Sequence, residues 1–218
     1  MLGGPAEKGI DAESYHRIAQ EIAQLNAQGV RLGIVVGGGN FLRGRDVAFI
    51  DRISADRVAM TSTILNGLAL QAALEQKGVG SIVQSPLTFA LTDLVHPRRA
   101  REALDQGKVV VFCGGVGEPL VSSDMAAAVR AVEIGADLLI KASNVDGVYD
   151  KDPNQHPSAK RFETLSFEQV MEHRYPVMDL VAFDICCKQQ LPILVFDVRV
   201  PDNLTQVLQH PEIGTLIH

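Results

Sequence analysis

Residues 109–124 read Val109-Val110-Val111-Phe112-Cys113-Gly114-Gly115-Val116-Gly117-Glu118-Pro119-Leu120-Val121-Ser122-Ser123-Asp124, followed by Met125-Ala126-Ala127-Ala128. The first five are apolar, and four of them are β-branched or aromatic. Such a run reads as a strand buried on both faces. Three glycines in the next four positions end it. Ser122 and Ser123 are cap candidates for a helix over 124–134. A buried strand, a glycine-rich loop and a helix in that order form half of a βαβ unit.

The same alternation continues in both directions. Residues 11–28 read as a helix, with Ile18, Ile22 and Leu25 at helical spacing and Gly29 as its stop. Residues 30–36 are a short β-branched run and read as a buried strand. Residues 55–76 carry Met60, Ile64, Leu68 and Leu70 in a long helical pattern that ends by Gly78. Strands are predicted over 81–84, 137–141, 192–196 and 214–217. Helices are predicted over 97–106, 166–173, 178–188 and 203–209. Continuous apolar strands between helices predict an α/β fold with a mostly parallel sheet sandwiched by helices. With no repeat, low-complexity tract or long linker, residues 1–218 are expected to form a single domain. Residues 1–9 read as a loop, where a βαβ unit normally has a strand.

Composition narrows the function. Hydrophobic residues make up 46% and charged residues 21% of 218 positions, which predicts an ordinary globular chain and excludes global disorder. The net charge of −6, without a basic run, disfavours nucleic acid as a partner. Apolar runs are too short to span a bilayer, and no signal peptide is visible, so no membrane partner is expected. Cys113, Cys186 and Cys187 make no disulfide framework and lack the spacing of a zinc site. Reduced thiols and a cytoplasmic location follow as expectations. His16, His96, His156, His173, His210 and His218 are scattered without metal-ligand spacing. There is no Walker A sequence, dinucleotide fingerprint, HExxH or nucleophile elbow.

Ligands of such sheets bind beyond the carboxyl ends of the strands, where two glycine-rich segments fall. Gly37-Gly38-Gly39-Asn40 follows the 30–36 strand, and Arg43 comes next. Glycines leave backbone N–H groups open to an anion, and Arg43 can offer phosphate two parallel hydrogen bonds. A bare glycine run can equally be a plain turn; Arg43 and the strand before it favour phosphate. The second segment is 114–124. Its helix start attracts anions, and Asp124 suits either a favourable first-turn acid or a partner for Mg²⁺ or a catalytic lysine. A third cluster, 141–153, leaves the strand over 137–141 and contains Ser143, Tyr149 and Asp152. A lone aromatic such as Tyr149 can flank a base or simply pack.

Taken together, these residues resemble a known family. Val35-Val36-Gly37-Gly38-Gly39-Asn40 with Arg43, Asn66-Gly67-Leu68-Ala69, the 114–124 segment, Lys141-Ala142-Ser143, Val145-Asp146-Gly147-Val148-Tyr149 and Val177-Met178-Asp179-Leu180 resemble bacterial uridylate (UMP) kinase of the amino-acid kinase superfamily. The motifs occur in the family's order from about Gly9 to His218. The resemblance implies transfer of the γ-phosphate of MgATP to UMP, giving UDP and ADP, in pyrimidine nucleotide biosynthesis. It also implies a homohexamer with GTP as activator and UTP as inhibitor. Arg43 and Asp124 would be the catalytic residues. Gly38, Asp56, Val116, Gly117, Glu118, Pro119, Leu120, Val121, Ser122 and Ser123 would hold UMP. Gly39, Arg43, Ser143, Tyr149 and Asp152 would hold ATP. Mg²⁺ would arrive with ATP and have no direct protein ligand.

The sequence departs from the family in places. The family opens with a strand ending in Lys-Leu-Ser-Gly-Glu, whose lysine contacts the transferred phosphoryl group. Here the chain starts at Met1-Leu2-Gly3-Gly4, and Lys8 falls too late to match that lysine. The expectation is a kinase fold lacking its N-terminal strand, with low stability and weak activity for these 218 residues. The alternative is an N-terminally truncated nucleotide-binding or regulatory protein of the same superfamily. Val116 and Glu118 stand where the family often has Thr and Asn, and Ser122-Ser123 replaces a Thr pair while keeping both hydroxyls. Glu118 is expected to point away from a bound anion.

Overall fold

The structure, a computed structural model, describes residues 2–4, 6, 8–43, 47, 49–153 and 155–218. Three residues of the opening segment, Met1, Pro5 and Glu7, lie outside the described set; the others form turns and bends. The chain divides into two compact units, Met1–Ile134 and Gly135–His218.

In the first unit the elements are α1 (Ala12–Ala27), β1 (Gly33–Val35), α2 (Arg52–Glu75), β2 (Ser81–Ser85), β3 (Asp93–Leu94), α3 (Pro97–Asp105), β4 (Val109–Phe112) and α4 (Ser123–Ile134). The four strands form one sheet in the order β1-β4-β2-β3, with every pairing parallel. All four residues of β4 are buried, as a central strand with two neighbours requires. Side chains alternate along it. Val110 and Phe112 pack with Ala100, Ala103 and Leu104 of α3. Cys113 lies on the other side, close under Gly67 of α2, where an added Cβ would come within 3.2 Å of the Cys113 Cβ. Helices therefore cover both faces. Each fully buried Val or Phe side chain contributes roughly 1.5–3 kcal/mol, so β4 anchors this unit.

The predicted strand over 30–36 is shorter and less buried than its composition suggests. Only Gly33–Val35 pair, and their burial runs from exposed to half-buried. The reason is position: among the described residues β1 has β4 as its one neighbour and sits at the sheet edge. Helix α2 starts a turn earlier than its apolar pattern does. Asp51 caps it by accepting the Ser54 N–H at 3.0 Å.

The second unit contains β5 (Leu139–Ser143), β6 (Thr164–Leu165), α5 (Phe167–His173), α6 (Leu180–Lys188), β7 (Ile193–Asp197), α7 (Asn203–Gln206), a 3-10 turn over Pro211–Ile213 and β8 (Thr215–Ile217). Its sheet order is β5-β7-β8-β6. The β5–β7 and β6–β8 pairs are parallel, whereas β7 and β8 run antiparallel. The core is built on Leu194, Phe196, Val198 and Val207. Strand β5 begins two residues later than predicted, because its register with β7 runs from Leu139 opposite Ile193 to Ser143 opposite Asp197. Helix α7 has four residues, not the seven expected; Asp202 before it adopts φ 63° and gives no side-chain cap. Ser166 and Gln169 form a reciprocal capping box at the start of α5. Among the described residues no helix is long and apolar enough to cross a membrane.

Candidate active site

The two glycine-rich loops of the first unit leave β1 and β4, adjacent parallel strands, at their carboxyl ends. The chain therefore delivers both loops to one end of one sheet. The Gly37 and Ser123 segments lie side by side there: a Cβ on Gly37 would stand 3.8 Å from the Ser123 Oγ.

Helix α2 fastens both loops through its side chains. Near its start, Asp56 is mostly buried and pairs with Arg52 at 2.9 Å. Its other carboxylate oxygen accepts the Leu120 N–H at 3.0 Å. Six residues on, Ser62 donates to the Ala59 carbonyl at 2.6 Å and to the Gly38 carbonyl at 3.2 Å. Thr63 accepts the buried Gly114 N–H at 2.5 Å and donates to the Met60 carbonyl at 2.7 Å. Further along, Asn66 is 0% exposed. Its amide donates to the Gly37 carbonyl at 2.6 Å and to Asn40 Oδ1 at 2.7 Å. Its own Oδ1 accepts from the Tyr15 hydroxyl at 2.6 Å and from Asn40 Nδ2 at 3.0 Å. Burial raises the Tyr15 phenol above its ordinary range, so the hydroxyl remains a donor at neutral pH.

Gly38 is required for close approach. A Cβ there would collide with the Ser62 Oγ and stand 3.0 Å from the Ala59 carbonyl oxygen of the α2 backbone. Gly39 lies against the Arg43 guanidinium, whose Nε would be 3.1 Å from an added Cβ. Arg43 itself is exposed. A hollow of about 350 Å³ opens here, lined by Lys8, Gly9, Gly39, Asn40, Phe41, Leu42 and Arg43.

In the 114–124 loop, Val116, Gly117, Pro119, Val121 and Ser122 are half-buried, while Glu118, Leu120 and Ser123 are exposed. Leu120 adopts φ 66°, a left-handed conformation that is costly for a non-glycine residue. The bond from its N–H to Asp56 holds it there. Ser122 caps α4 by accepting the Met125 N–H at 3.1 Å, and Asp124 sits half-buried in the first turn. The first unit thus brings Gly38, Gly39, Arg43, Asp56, residues 116–123 and Asp124 to one end of its sheet.

Ser143, Tyr149 and Asp152 belong to the second unit, at the end of β5 and in the loop beyond. Ser143 Oγ accepts the Val145 N–H at 3.3 Å. The Tyr149 hydroxyl donates to Asp146 at 2.7 Å, and this bond, with burial second, raises its pKa. Arg161 pairs with Asp146 at 3.5 Å and donates to the Asp146, Gly214 and Glu212 carbonyls. Exposed Asp152 accepts from the Gln155 side chain at 2.9 Å.

Sequence reading assigned no role to Ser62 or Thr63, and cited Asn66 only as part of a motif. Their spacing was the available signal, since positions 62, 63 and 66 share one helix face. Among the described residues no group of three or more His, Cys, Asp or Glu converges in a way that could hold a metal ion.

The fold agrees with comparisons against known proteins. Residues 2–197 match the model of the amino acid kinase family, and the chain belongs to that family. Within it, the similar proteins carry a narrower name. The uridylate kinase of Pseudomonas paraeruginosa is 41% identical over 219 aligned positions, covering 99% of this chain and 89% of that protein. The crystal structure of UMP kinase from Bacillus anthracis superposes with a TM-score of 0.95 at 32% identity, covering 100% of this chain and 91% of that one. The UMP kinase of Ureaplasma parvum gives 0.91 at 32% identity, covering 95% and 90%.

Proposed function

We propose that the protein is a UMP kinase that transfers the γ-phosphate of MgATP to UMP. The observation that carries this reading is the fastening of both glycine-rich loops to α2, through Asp56, Ser62, Thr63 and Asn66. A UMP phosphate oxygen attacks the γ-phosphorus in line. The bond from that phosphorus to the β–γ bridging oxygen breaks, and ADP leaves with the electron pair. No protein nucleophile is needed, so the residues position the groups and offset charge.

Two anions must approach one another. The open N–H groups of Gly38 and Gly39 and the Arg43 guanidinium would reduce their repulsion. Asp56 and residues 116–123 would hold UMP, with Asp124 organising the transfer centre. Ser143, Tyr149 and Asp152 would take the adenine nucleotide. The Tyr149 hydroxyl is engaged by Asp146, which leaves its ring face for a base. Magnesium would enter on the nucleotide and supply Lewis-acid neutralisation of its phosphates.

The whole chain would work as one kinase domain in pyrimidine nucleotide synthesis in the cytoplasm, as a homohexamer activated by GTP and inhibited by UTP. The family resemblance supports these further features. Incubating the protein with MgATP and UMP, and resolving nucleotides by chromatography, should give UDP and ADP in equal amounts. CMP, carbamate and an acylated amino acid should be poor acceptors. No ADP with UMP would overturn the reading, and preference for another acceptor would move it within the family.

A further inference from the structure

The hollow beside Gly39 has a second basic side chain that the catalytic reading leaves unused. Lys8 and Arg43 both line it. Among the described residues neither forms an ion pair or a hydrogen bond through its charged group, and both are exposed. Elsewhere in the first unit Arg17, Arg31, Arg52, Arg98 and Arg130 each pair with an acid, five of the ten other basic side chains described there.

The position of Lys8 is set by its neighbour. The Gly9 N–H donates to the Asn40 carbonyl at 2.8 Å, and the Asn40 side chain donates back to the Gly9 carbonyl at 2.7 Å. Asn40 is bonded in turn to buried Asn66. The backbone beside Lys8 is thus tied to the glycine loop and, through it, to α2. Two cations around one hollow repel each other, and an anion held between them would relieve that repulsion. Gly39, lacking a Cβ, lets the Arg43 guanidinium pack against its backbone at the hollow.

We infer that Lys8 is a phosphate-binding residue of this kinase, acting with Arg43 across the hollow at Gly39 to neutralise a nucleotide phosphate. The inference rests on the UMP kinase reading. Lys8 falls outside the family's strand motif, so the hollow gives it a role that sequence alignment does not supply.

Steady-state kinetics on Lys8→Ala and Lys8→Gln, both at an exposed position, tests it. Each should raise KM about tenfold for one nucleotide, as expected for losing one hydrogen bond to a charged group. Whether KM for ATP or for UMP moves identifies whose phosphate is held. Lys8→Arg should restore KM to within about threefold, because a cation is retained. The rise of KM with salt should be shallower in Lys8→Ala than in the wild type. Unchanged KM for both nucleotides, with an unchanged salt slope, would overturn the inference. If the wild type makes no UDP, the kinase reading fails by itself. Lys8 is then judged by calorimetric titration with inorganic tripolyphosphate. Weaker binding by Lys8→Ala supports the inference, and equal binding overturns it.

Discussion

Leu120 shows how one residue can carry strain at a site. Its φ of 66° is unfavourable for a branched side chain, and 66% of its surface is exposed, so little burial offsets the cost. The Asp56 carboxylate pins its N–H from the other side. Leu120→Gly should relieve the backbone and stabilise the fold by about 1 kcal/mol in urea unfolding. It should also loosen the loop and raise KM for UMP. A destabilised variant with unchanged KM would contradict both halves. None of this was legible in the sequence. Leu120 was placed in the UMP loop by resemblance, but no local pattern announces a left-handed leucine, because the bond that holds it comes from 64 residues away.

At the scale of elements, α2 decides how the loops sit. Thr63 gives the buried Gly114 N–H its acceptor. Thr63→Val keeps the shape and removes that oxygen. It should cost roughly 1–3 kcal/mol in urea unfolding and raise KM for UMP, because an orphaned buried donor is expensive. Asp51→Ala is a useful contrast. Losing a helix cap should lower the urea midpoint with KM unchanged. The elements themselves were largely readable. Buried β4 and its glycine loop were plain, because a continuous apolar run followed by glycines has few other meanings. The anchoring face of α2 was hidden, since a helix packed against both α1 and the sheet buries polar residues among apolar ones, and Ser62, Thr63 and Asn66 look like noise in an apolar pattern. Strands β3 and β6 have two residues each, too few for any alternation to show. The edge position of β1 is a fact of topology, which composition does not report.

Across the whole molecule, each unit buries one thiol: Cys113 in the first and Cys186 in the second. Burial pushes each up from 9.0 to about 11. The unfolded thiols ionise first as pH rises, so the folded state's advantage is complete below pH 9 and is lost through about pH 11. The urea midpoint should fall over that window, and less so in Cys113→Ala and Cys186→Ala when each is compared with its own value at pH 8. Half-buried Cys187 should be alkylated first at pH 8, as peptide mass spectrometry would read. Early labelling of Cys113 would contradict the burial of β4's end. That the strands, glycine loops and helices follow one another in a kinase-like order was legible along the whole chain. The partition into two units was not, because no composition shift or linker marks residues 134–135.

The side chains of α2 also bear on how the protein opens. Amides of surface loops ordinarily exchange hydrogen with solvent quickly, each loop on its own schedule. Here the Gly114 and Leu120 amides are bonded to α2 side chains, and the Gly37 and Gly38 carbonyls are held by the same helix. Their protons should exchange on the timescale of α2 opening and slow together when the helix is stabilised. The two loops and the helix then form one cooperative unfolding unit, so both glycine-rich loops are lost together or not at all.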